Sequence, residues 1–212
     1  MPETVTLQGG HVRLEPLTPD HADGLLRAAR ESRETYGFTL VPDDPPAMRR
    51  YVEEALAEQV TGAALPFAVV DTARGAVVGS TRFLDLDYWS AVPAWPAGRT
   101  TPRPAGAPTV AEIGSTWLSA SAQRTPCNTE AKLLLLTHAF ETWGVLRVTL
   151  KTDARNARSR AAIERIGGRF EGIRRAHVRA TDGTVRDSAY YSVLQDEWPD
   201  VRAALRGRLQ GS

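Results

Sequence analysis

The chain has the length of one large domain or two small ones and the composition of an ordinary soluble globular protein. Its 212 residues are 42% hydrophobic and 24% charged, with a formal net charge of +1, which argues against a dominant nucleic-acid-binding surface. A single cysteine, Cys127, excludes an internal disulfide, and no apolar run is long enough to span a bilayer. The N-terminus also lacks the charged and apolar regions of a signal peptide, so we expect a cytoplasmic protein without a nucleic-acid or membrane partner.

Arginine supplies nearly all of the basic residues. Only two lysines occur, Lys132 and Lys151, among 26 lysine and arginine residues in total. The arginines are interspersed with Asp and Glu, which is typical of a coding bias rather than of a binding patch.

The first part of the chain predicts one strand, two helices and a hairpin. Residues 7–17 alternate between apolar and polar side chains, as a half-buried strand does. Thr18-Pro19 and Asp44-Pro45 each combine an N-cap residue with proline at the first helical position, which predicts helices to about Arg33 and to Gly62. Residues 67–71 and 76–86 are then predicted to be antiparallel strands joined by a short turn.

Residues 88–110 break every periodic pattern and form a proline-rich insertion. Five prolines, two glycines and two tryptophans fall in this segment. A structureless loop of this length is usually either functional or disordered. Three interpretations stay open: an excursion without a role, a substrate lid or partner contact, and a polyproline II recognition segment.

Residues 112–168 form a βαβα pattern around which the rest of the chain is organised. A strand at 112–118 leads through a polar loop at 119–128 into an apolar helix at 129–143, and a strand at 146–151 leads to a helix opened by Asn156. The first amides of a helix lack partners, and the helix dipole favours negative charge there. The loop before Thr129 therefore predicts a ligand with an anionic end. The alternative is a plain polar loop capped by Asn128.

The end of the chain predicts a second hairpin and a short helix. Strands at 168–178 and 186–194 flank an Asp182-Gly183 turn, and Trp198-Pro199 opens the terminal helix. No repeat or linker divides the chain. The sequence therefore predicts a single mixed α/β domain with an insertion at 88–110.

Motifs spread along this pattern resemble one family of enzymes. In order they read Glu-Ile-Gly-Ser-Thr-Trp-Leu from Glu112, Asn-Thr-Glu-Ala-Lys-Leu from Asn128, Asn-x-x-Ser-x-x-Ala-x-Glu-Arg-Ile-Gly from Asn156, Phe-Glu-Gly from Phe170 and Asp-Gly-x-x-x-Asp from Asp182. Their order resembles the RimJ/RimL-like branch of the bacterial GNAT N-acetyltransferases. The resemblance covers residues 12–198 and is specific for the superfamily rather than for a substrate.

The resemblance implies a GNAT-like fold that binds acetyl-CoA. Such a fold has a central twisted mixed sheet of about seven strands, splayed between the fourth and fifth and flanked by helices. The pantetheine arm would lie in the splay, against the backbone of Trp117 and Leu118, and would bond to Asn156 with Ser159 nearby. The diphosphate would rest on the loop before the helix, at Gln123, Arg124, Thr125, Cys127, Asn128 and Thr129.

The predicted diphosphate loop departs from the family signature, which is Gln or Arg, two residues, Gly, one residue, and Gly or Ala. Pro126 stands at the first small position, where it removes a backbone donor and fixes φ, and Asn128 stands at the second. Losing one amide-to-phosphate bond would weaken cofactor binding by about ten- to a hundredfold. Arg124 can offset part of that loss by reaching a phosphate itself.

Direct acetyl transfer to an amine needs a base and an acid. By resemblance, Glu112 is the base and Ser159 is the acid that protonates the departing thiolate. Each residue also has a structural interpretation, because Glu112 suits a solvated strand edge and Ser159 suits a local backbone contact. The reserve candidates on the acceptor side are Asp85, Asp87 and Tyr191.

A catalytic thiol and a metal site are both disfavoured. A thiol near a helix N-terminus can be activated, but no histidine is recognisably placed as a base for Cys127. The four histidines lack the spacing of metal ligands, so no metal cofactor is expected.

Two functions follow from these features. The first is an acetyl-CoA-dependent N-acetyltransferase without a metal or a covalent intermediate, acting on a protein N-terminus or on a small amine. The second, motivated by Pro126 and Asn128, is a catalytically weakened GNAT-fold module that binds acyl-CoA or a partner. A homodimer is left open as the assembly.

Overall fold

Eight strands and five α-helices make up the computed structural model, which describes residues 3–90 and 103–211. The strands are β1 (Leu7–Gln8), β2 (Val12–Pro16), β3 (Leu65–Asp71), β4 (Ala76–Asp87), β5 (Val110–Leu118), β6 (Arg147–Asp153), β7 (Arg169–Arg179) and β8 (Val185–Leu194). The helices are α1 (Ala22–Arg30), α2 (Pro45–Val60), α3 (Pro126–Thr137), α4 (Ala157–Arg165) and α5 (Trp198–Gln210). The predicted mixed α/β fold is confirmed.

The strands form one mixed sheet in the order β1-β2-β3-β4-β5-β6-β8-β7, in which only β5 and β6 are parallel neighbours. The sheet has one strand more than predicted, because the segment 7–17 divides into β1 and β2. These two strands pair antiparallel, with Leu7 opposite Leu14. The extra strand moves the expected splay to the fifth and sixth strands.

The β5 and β6 strands diverge almost as soon as they meet. They pair only from Val110 opposite Arg147 to Glu112 opposite Thr149. Beyond Glu112, β5 continues beside β4 as far as Leu118, and β6 continues beside β8 as far as Asp153. The two strands therefore leave a gap in the middle of the sheet, as the family resemblance implied.

Two apolar cores cover the two faces of this sheet. Ile113 and Leu118 of β5 pack in the larger core with α3 and α5, whereas Trp117 packs in the smaller core with α1 and α2. The gap between β5 and β6 therefore lies between helices on both sides.

Several predicted helix limits were wrong. The α3 helix begins at Pro126 and not at Thr129, and its N-cap is Thr125 and not Asn128; the Thr125 hydroxyl accepts the Cys127 amide at 3.3 Å. A π-helical segment, His138–Trp143, continues directly from α3, and Gly144 ends it in a left-handed conformation. The α1 helix stops at Arg30, and α5 is longer than the short helix predicted.

The Glu130 side chain ties the β1–β2 turn to α3. Its carboxylate accepts the amides of Gly10 at 2.9 Å, His11 at 2.6 Å and Val12 at 2.7 Å. A Cβ at Gly9 would collide with the same carboxyl group, so the turn needs glycine for this close approach. Three amides on one buried carboxylate fix the first hairpin against the sheet.

Most of the proline-rich insertion predicted at 88–110 lies outside the described residues, since residues 91–102 are not described. Where the chain is described again, Thr109 donates its amide to Asp87 at 2.7 Å and returns the backbone to β5. Across 3–90 and 103–211, none of the helices combines the length and the apolar character that crossing a membrane requires.

Candidate active site

A cavity of about 570 Å³ opens where β5 and β6 separate. Its wall is built from the α1–α2 loop, α2, β4, β5, the first turns of α3, β6, α4 and the β7–β8 turn. Both lysines of the chain, Lys132 and Lys151, contribute to the lining, as do Glu112 and Ser159. The structure therefore brings the two predicted catalytic residues to one cavity.

Glu112 is a buried carboxylate at the last position where β5 pairs with β6. Glu112 is 3% exposed, and its Oε2 lies 2.8 Å from Lys151 Nζ. Burial raises the pKa of Glu112 to about 7, although the Lys151 ammonium pulls it down. The prediction of a solvated strand-edge acid, which was the alternative for this residue, was wrong.

Lys151 bridges this carboxylate to a second one. Its ammonium also lies 3.0 Å from Asp85 Oδ2, on a side chain that is 70% exposed. Burial alone would lower the pKa of Lys151, but Glu112 and Asp85 outweigh it and the pKa is raised. Lys151 therefore stays charged beside Glu112, and Asp85 connects the pair to solvent.

A bulge in β5 lies beyond Glu112. Ser115 adopts a left-handed φ of 46°, and the pairing of β4 with β5 shifts between Ser80 and Arg82. A non-glycine residue in this region is strained, and such strain is common at ligand sites. The bulge turns Thr116 toward α3, where its hydroxyl accepts from Lys132 Nζ at 2.7 Å. The same hydroxyl lies 2.7 Å from Thr81 Oγ1 on β4.

The loop before α3 keeps some of its amides free. Gln123 donates its amide to Ser119, but within the described chain the amides of Arg124, Thr125 and Asn128 donate to no acceptor. Arg124 has a left-handed φ of 59°, which turns the chain into the helix. Pro126 occupies the first helical position. The amide of a residue at that position has no intrahelical acceptor, so proline breaks no hydrogen bond of the helix. Three amides at a helix N-terminus fit a diphosphate.

The splayed strands, the buried carboxylate and this loop agree with a comparison to known families. The model of the acetyltransferase (GNAT) domain matches residues 11–169. This chain belongs to the GNAT acetyltransferase family.

Three relatives are similar to this chain. A GCN5-related N-acetyltransferase from Brucella melitensis is 31% identical with a TM-score of 0.79, over 97% of this chain and 86% of that chain. YdaF of Bacillus subtilis strain 168, provisionally named as a ribosomal N-acetyltransferase, is 38% identical over 88 residues, 42% of this chain and 47% of its own. The chain therefore spans about half the length of that curated relative. RimJ of Mycobacterium smegmatis, solved with CoA-disulfide, shares the fold at 20% identity and a TM-score of 0.71, over 93% of this chain and 88% of that chain.

Other residues of the expected GNAT cofactor site point elsewhere. The Trp117 indole donates to the Tyr51 hydroxyl at 3.2 Å, on the α1–α2 face. The Leu118 carbonyl accepts the Tyr36 hydroxyl at 2.8 Å and Gln123 Nε2 at 2.7 Å. Cys127 is 5% exposed and packs in the larger core. These side chains hold the loop in place, and any contact to a cofactor would come from backbone atoms.

Ser159 lies in the opposite wall of the cavity, on α4, whereas the predicted pantetheine partner Asn156 caps that helix and does not line the cavity. Asn156 Oδ1 caps the helix by accepting the Ser159 amide at 3.0 Å. Ser159 lines the cavity, and its hydroxyl has no hydrogen-bond partner among residues 3–90 and 103–211. The hydroxyl is therefore available to a ligand.

The three reserve candidates divide. Asp85 reaches the site through Lys151, but Asp87 accepts the Trp89 indole at 2.9 Å outside the cavity wall. Tyr191 is fully buried between Arg160 and Glu164, at 2.9 and 3.2 Å. Neither Asp87 nor Tyr191 lines the cavity in which an amine substrate would bind.

Sequence reasoning did not name the two lysines as candidates for the site. Lys132 is 5% exposed, and burial lowers its pKa to about 7. The signal in the sequence was the composition, because all other residues of the lysine and arginine total are arginine. The structure shows that both lysines line the same cavity.

Proposed function

We propose that this protein is an N-acetyltransferase that moves the acetyl group of acetyl-CoA to a primary amine by direct attack. The observation that carries the proposal is Glu112, a buried carboxylate with a pKa raised to about 7 at the point where β5 and β6 separate. A base with a pKa near neutrality is suited to taking a proton from an ammonium group.

The donor would enter from the N-terminus of α3. The free amides of Arg124, Thr125 and Asn128 are suited to its diphosphate, and the gap beside β5 is suited to the pantetheine arm. The CoA-disulfide bound to the RimJ relative supports a CoA-type ligand in this fold. Pro126 costs one donor to the phosphates, so we expect moderate rather than tight affinity.

The transfer would use one residue on each side of the thioester. Glu112 takes a proton from the acceptor ammonium, and the neutral amine attacks the thioester carbon. A C–N bond forms and the C–S bond breaks. The nitrogen releases its second proton to water, and the departing thiolate receives a proton from the Ser159 hydroxyl, which is reprotonated from water. Lys151 keeps the Glu112 carboxylate in position between proton transfers.

The acceptor would enter from the opposite face. Phe38 and Leu40 of the α1–α2 loop form an apolar part of this wall, and Glu54 of α2 adds a carboxylate. The neighbouring Glu58 is paired with Arg82 at 3.0 Å. These features suit a cationic amine next to an apolar group, as in a peptide N-terminus or a small amine. The name of YdaF favours a ribosomal protein as the acceptor, and such an acceptor would be met in the cytoplasm.

A thermal-shift titration followed by a thiol-release assay over an amine panel tests the proposal. We expect CoA and acetyl-CoA to raise Tm, and thiol release to depend on an amine. Ser159→Ala should lower kcat by about ten- to a hundredfold with an unchanged Tm shift. Full turnover by Ser159→Ala would remove the proposed acid, and the absence of any Tm shift would contradict CoA binding.

A second candidate is a GNAT-fold module that binds acyl-CoA but has lost efficient catalysis. The observation in its favour is the diphosphate loop, where Pro126 lacks an amide and the Gln123 side chain is engaged by Thr35, Leu118 and Arg158. Stabilisation by acetyl-CoA without thiol release on any amine would favour this candidate over the enzyme.

A further inference from the structure

Lys132 is a buried cation without a counter-ion. Its ammonium donates to Thr116 Oγ1 at 2.7 Å and reaches Thr81 Oγ1 at 3.4 Å. Within the described part of the chain, the ion pairs of lysine all belong to Lys151. An ammonium has three donors, and two hydroxyls leave one of them without an acceptor.

An unpaired ammonium in a protein interior is costly, and an apolar side chain of similar length would avoid the cost. Lys132 nevertheless faces the cavity, together with Thr116 and Asn128. The Thr116 hydroxyl is already engaged by Thr81 at 2.7 Å and by the Gly114 carbonyl at 3.3 Å. The third donor of the Lys132 ammonium and the Asn128 carboxamide remain, and together they fit a small anion. The missing counter-ion is therefore best supplied by a ligand.

The position of Lys132 assigns that anion to the acyl donor. The Trp117 side chain faces α1 and α2, where the acceptor wall lies, whereas the adjacent Thr116 contacts Lys132 on α3. The free amides proposed to bind the diphosphate are at the N-terminus of the same helix. Lys132 therefore lies on the side of the cavity where the acyl-CoA would bind. Lys132 lies two turns into α3, away from the diphosphate, beside the β5 bulge.

We propose that Lys132 binds a carboxylate at the end of the donor's acyl group, so that the preferred donor is a short dicarboxylic acyl-CoA such as succinyl-CoA. This inference rests on the proposed function and changes only the group transferred. The amine attacks the thioester carbon, the C–N bond forms, the C–S bond breaks, and the thiolate is protonated as before. The product is an amide that ends in a free carboxylate.

Acetyl-CoA satisfies this site less well. Its methyl group brings no charge to the ammonium, and the bound donor displaces water that would otherwise solvate Lys132. A terminal carboxylate removes that penalty and adds a charge-assisted hydrogen bond, which we expect to favour the dicarboxylic donor by about ten- to a hundredfold in kcat/KM.

Thiol release with acetyl-CoA and succinyl-CoA, measured with one amine, tests the inference. In the wild-type chain we expect the succinyl-to-acetyl ratio of kcat/KM to exceed one, and in Lys132→Met to fall by about ten- to a hundredfold. Thr116→Val should lower the ratio less, since it removes only a neutral partner. Arg206→Met, which removes an exposed positive charge on α5, should leave the ratio unchanged.

A binding measurement separates this inference from the proposed function. Succinyl-CoA should raise the Tm of the wild-type chain more than acetyl-CoA does, and Lys132→Met should remove the difference. A wild-type preference for acetyl-CoA, or an equal loss with both esters in Lys132→Met, would overturn the carboxylate site while acetyl transfer stands. A preference that follows a carboxylate on the amine instead would also overturn it. If neither ester shifts Tm nor releases thiol, the proposed function itself fails.

Discussion

The Lys151 ammonium lies 2.8 Å from the Glu112 carboxylate, at the point in the cavity wall where β5 and β6 stop pairing. Burial raises the pKa of Glu112 to about 7, Lys151 opposes that rise, and Asp85 adds to it. The pKa of the proposed base therefore depends on its burial and on the charges of Lys151 and Asp85.

Removing the carboxylate should remove both activity and its pH dependence. We expect the wild-type kcat/KM to rise with pH through about 7, because only deprotonated Glu112 acts as a base. Glu112→Gln should lower kcat/KM by about 10²- to 10⁴-fold and abolish this rise. Steady-state kinetics from pH 5.5 to 9, with Tm as a folding control, measure both effects; a Glu112→Gln profile that keeps the rise would contradict the assignment.

The two charged neighbours of Glu112 should shift the acidic limb of the pH profile in opposite directions. Lys151→Met removes the charge that lowers the pKa of Glu112, so the limb should move to higher pH. Asp85→Asn removes the charge that raises this pKa, so the limb should move to lower pH. Shifts in the same direction, measured on kcat/KM, would show that neither residue acts through Glu112.

Gly114 leaves the space that the Glu112 side chain occupies. A Cβ at Gly114 would lie 2.7 Å from Glu112 Oε1 and 2.8 Å from Leu84 Cδ1. Gly114→Ala should therefore displace the carboxylate and lower kcat/KM by about ten- to a hundredfold. Gly207→Ala is the matched control, because a Cβ there meets open space in α5 and should raise stability by about 0.5–1 kcal/mol. Equal kinetics in both variants would refute this role of Gly114.

Glu130 should act on stability rather than on chemistry. Glu130→Gln replaces a carboxylate that accepts three amides with a group that has one acceptor oxygen. We expect the free energy of unfolding to fall by about 2–4 kcal/mol in urea denaturation. Glu53→Gln, exposed on α2, should change it by less than about 0.5 kcal/mol. Similar midpoints for the two variants would contradict the anchoring role.

Lys132→Met should stabilise the protein, and more so at low pH. The pKa of Lys132 is about 7 in the folded chain, below its ordinary value, so between pH 7 and 10 the unfolded state binds more protons than the folded state. The wild-type stability should therefore rise with pH across this window, and Met removes that dependence. We expect Lys132→Met to raise Tm by about 2–6 °C at pH 6, and by less at pH 10. A Tm difference that grows with pH would contradict an unpaired buried ammonium.

Local signals predicted the helices well where one residue pair decided the start. Asp44 caps α2 through the Ala47 amide at 2.8 Å, followed by prolines in the first turn, as the sequence indicated. At α3 the same reasoning failed, because Thr125 and Asn128 both suit an N-cap and stand three residues apart. The structure places Thr125 at the cap, where its hydroxyl also donates to Ala122 at 2.7 Å.

The site was predictable only in part for a different reason. Glu112 and Ser159 were predicted from family motifs, and both line the cavity. The bulge at Ser115 gave no sequence signal, yet it decides that Thr116 turns to α3 while Trp117 turns to α1 and α2. The strained residue Ser115 reverses which side chains of β5 face each side of the sheet, whereas the sequence pattern assumes a regular alternation along the strand.

The sequence by itself determined the order of strands and helices and the family motifs, because these depend on periodicity and on residues close together in the chain. The parallel pair at the centre of the sheet followed from the resemblance that those motifs carry. Only the tertiary structure decided that Lys151 pairs with Glu112 and that Lys132 has no counter-ion. Those properties depend on which side chains meet across β5, β6 and α3, and on how much water the packing leaves around each charge.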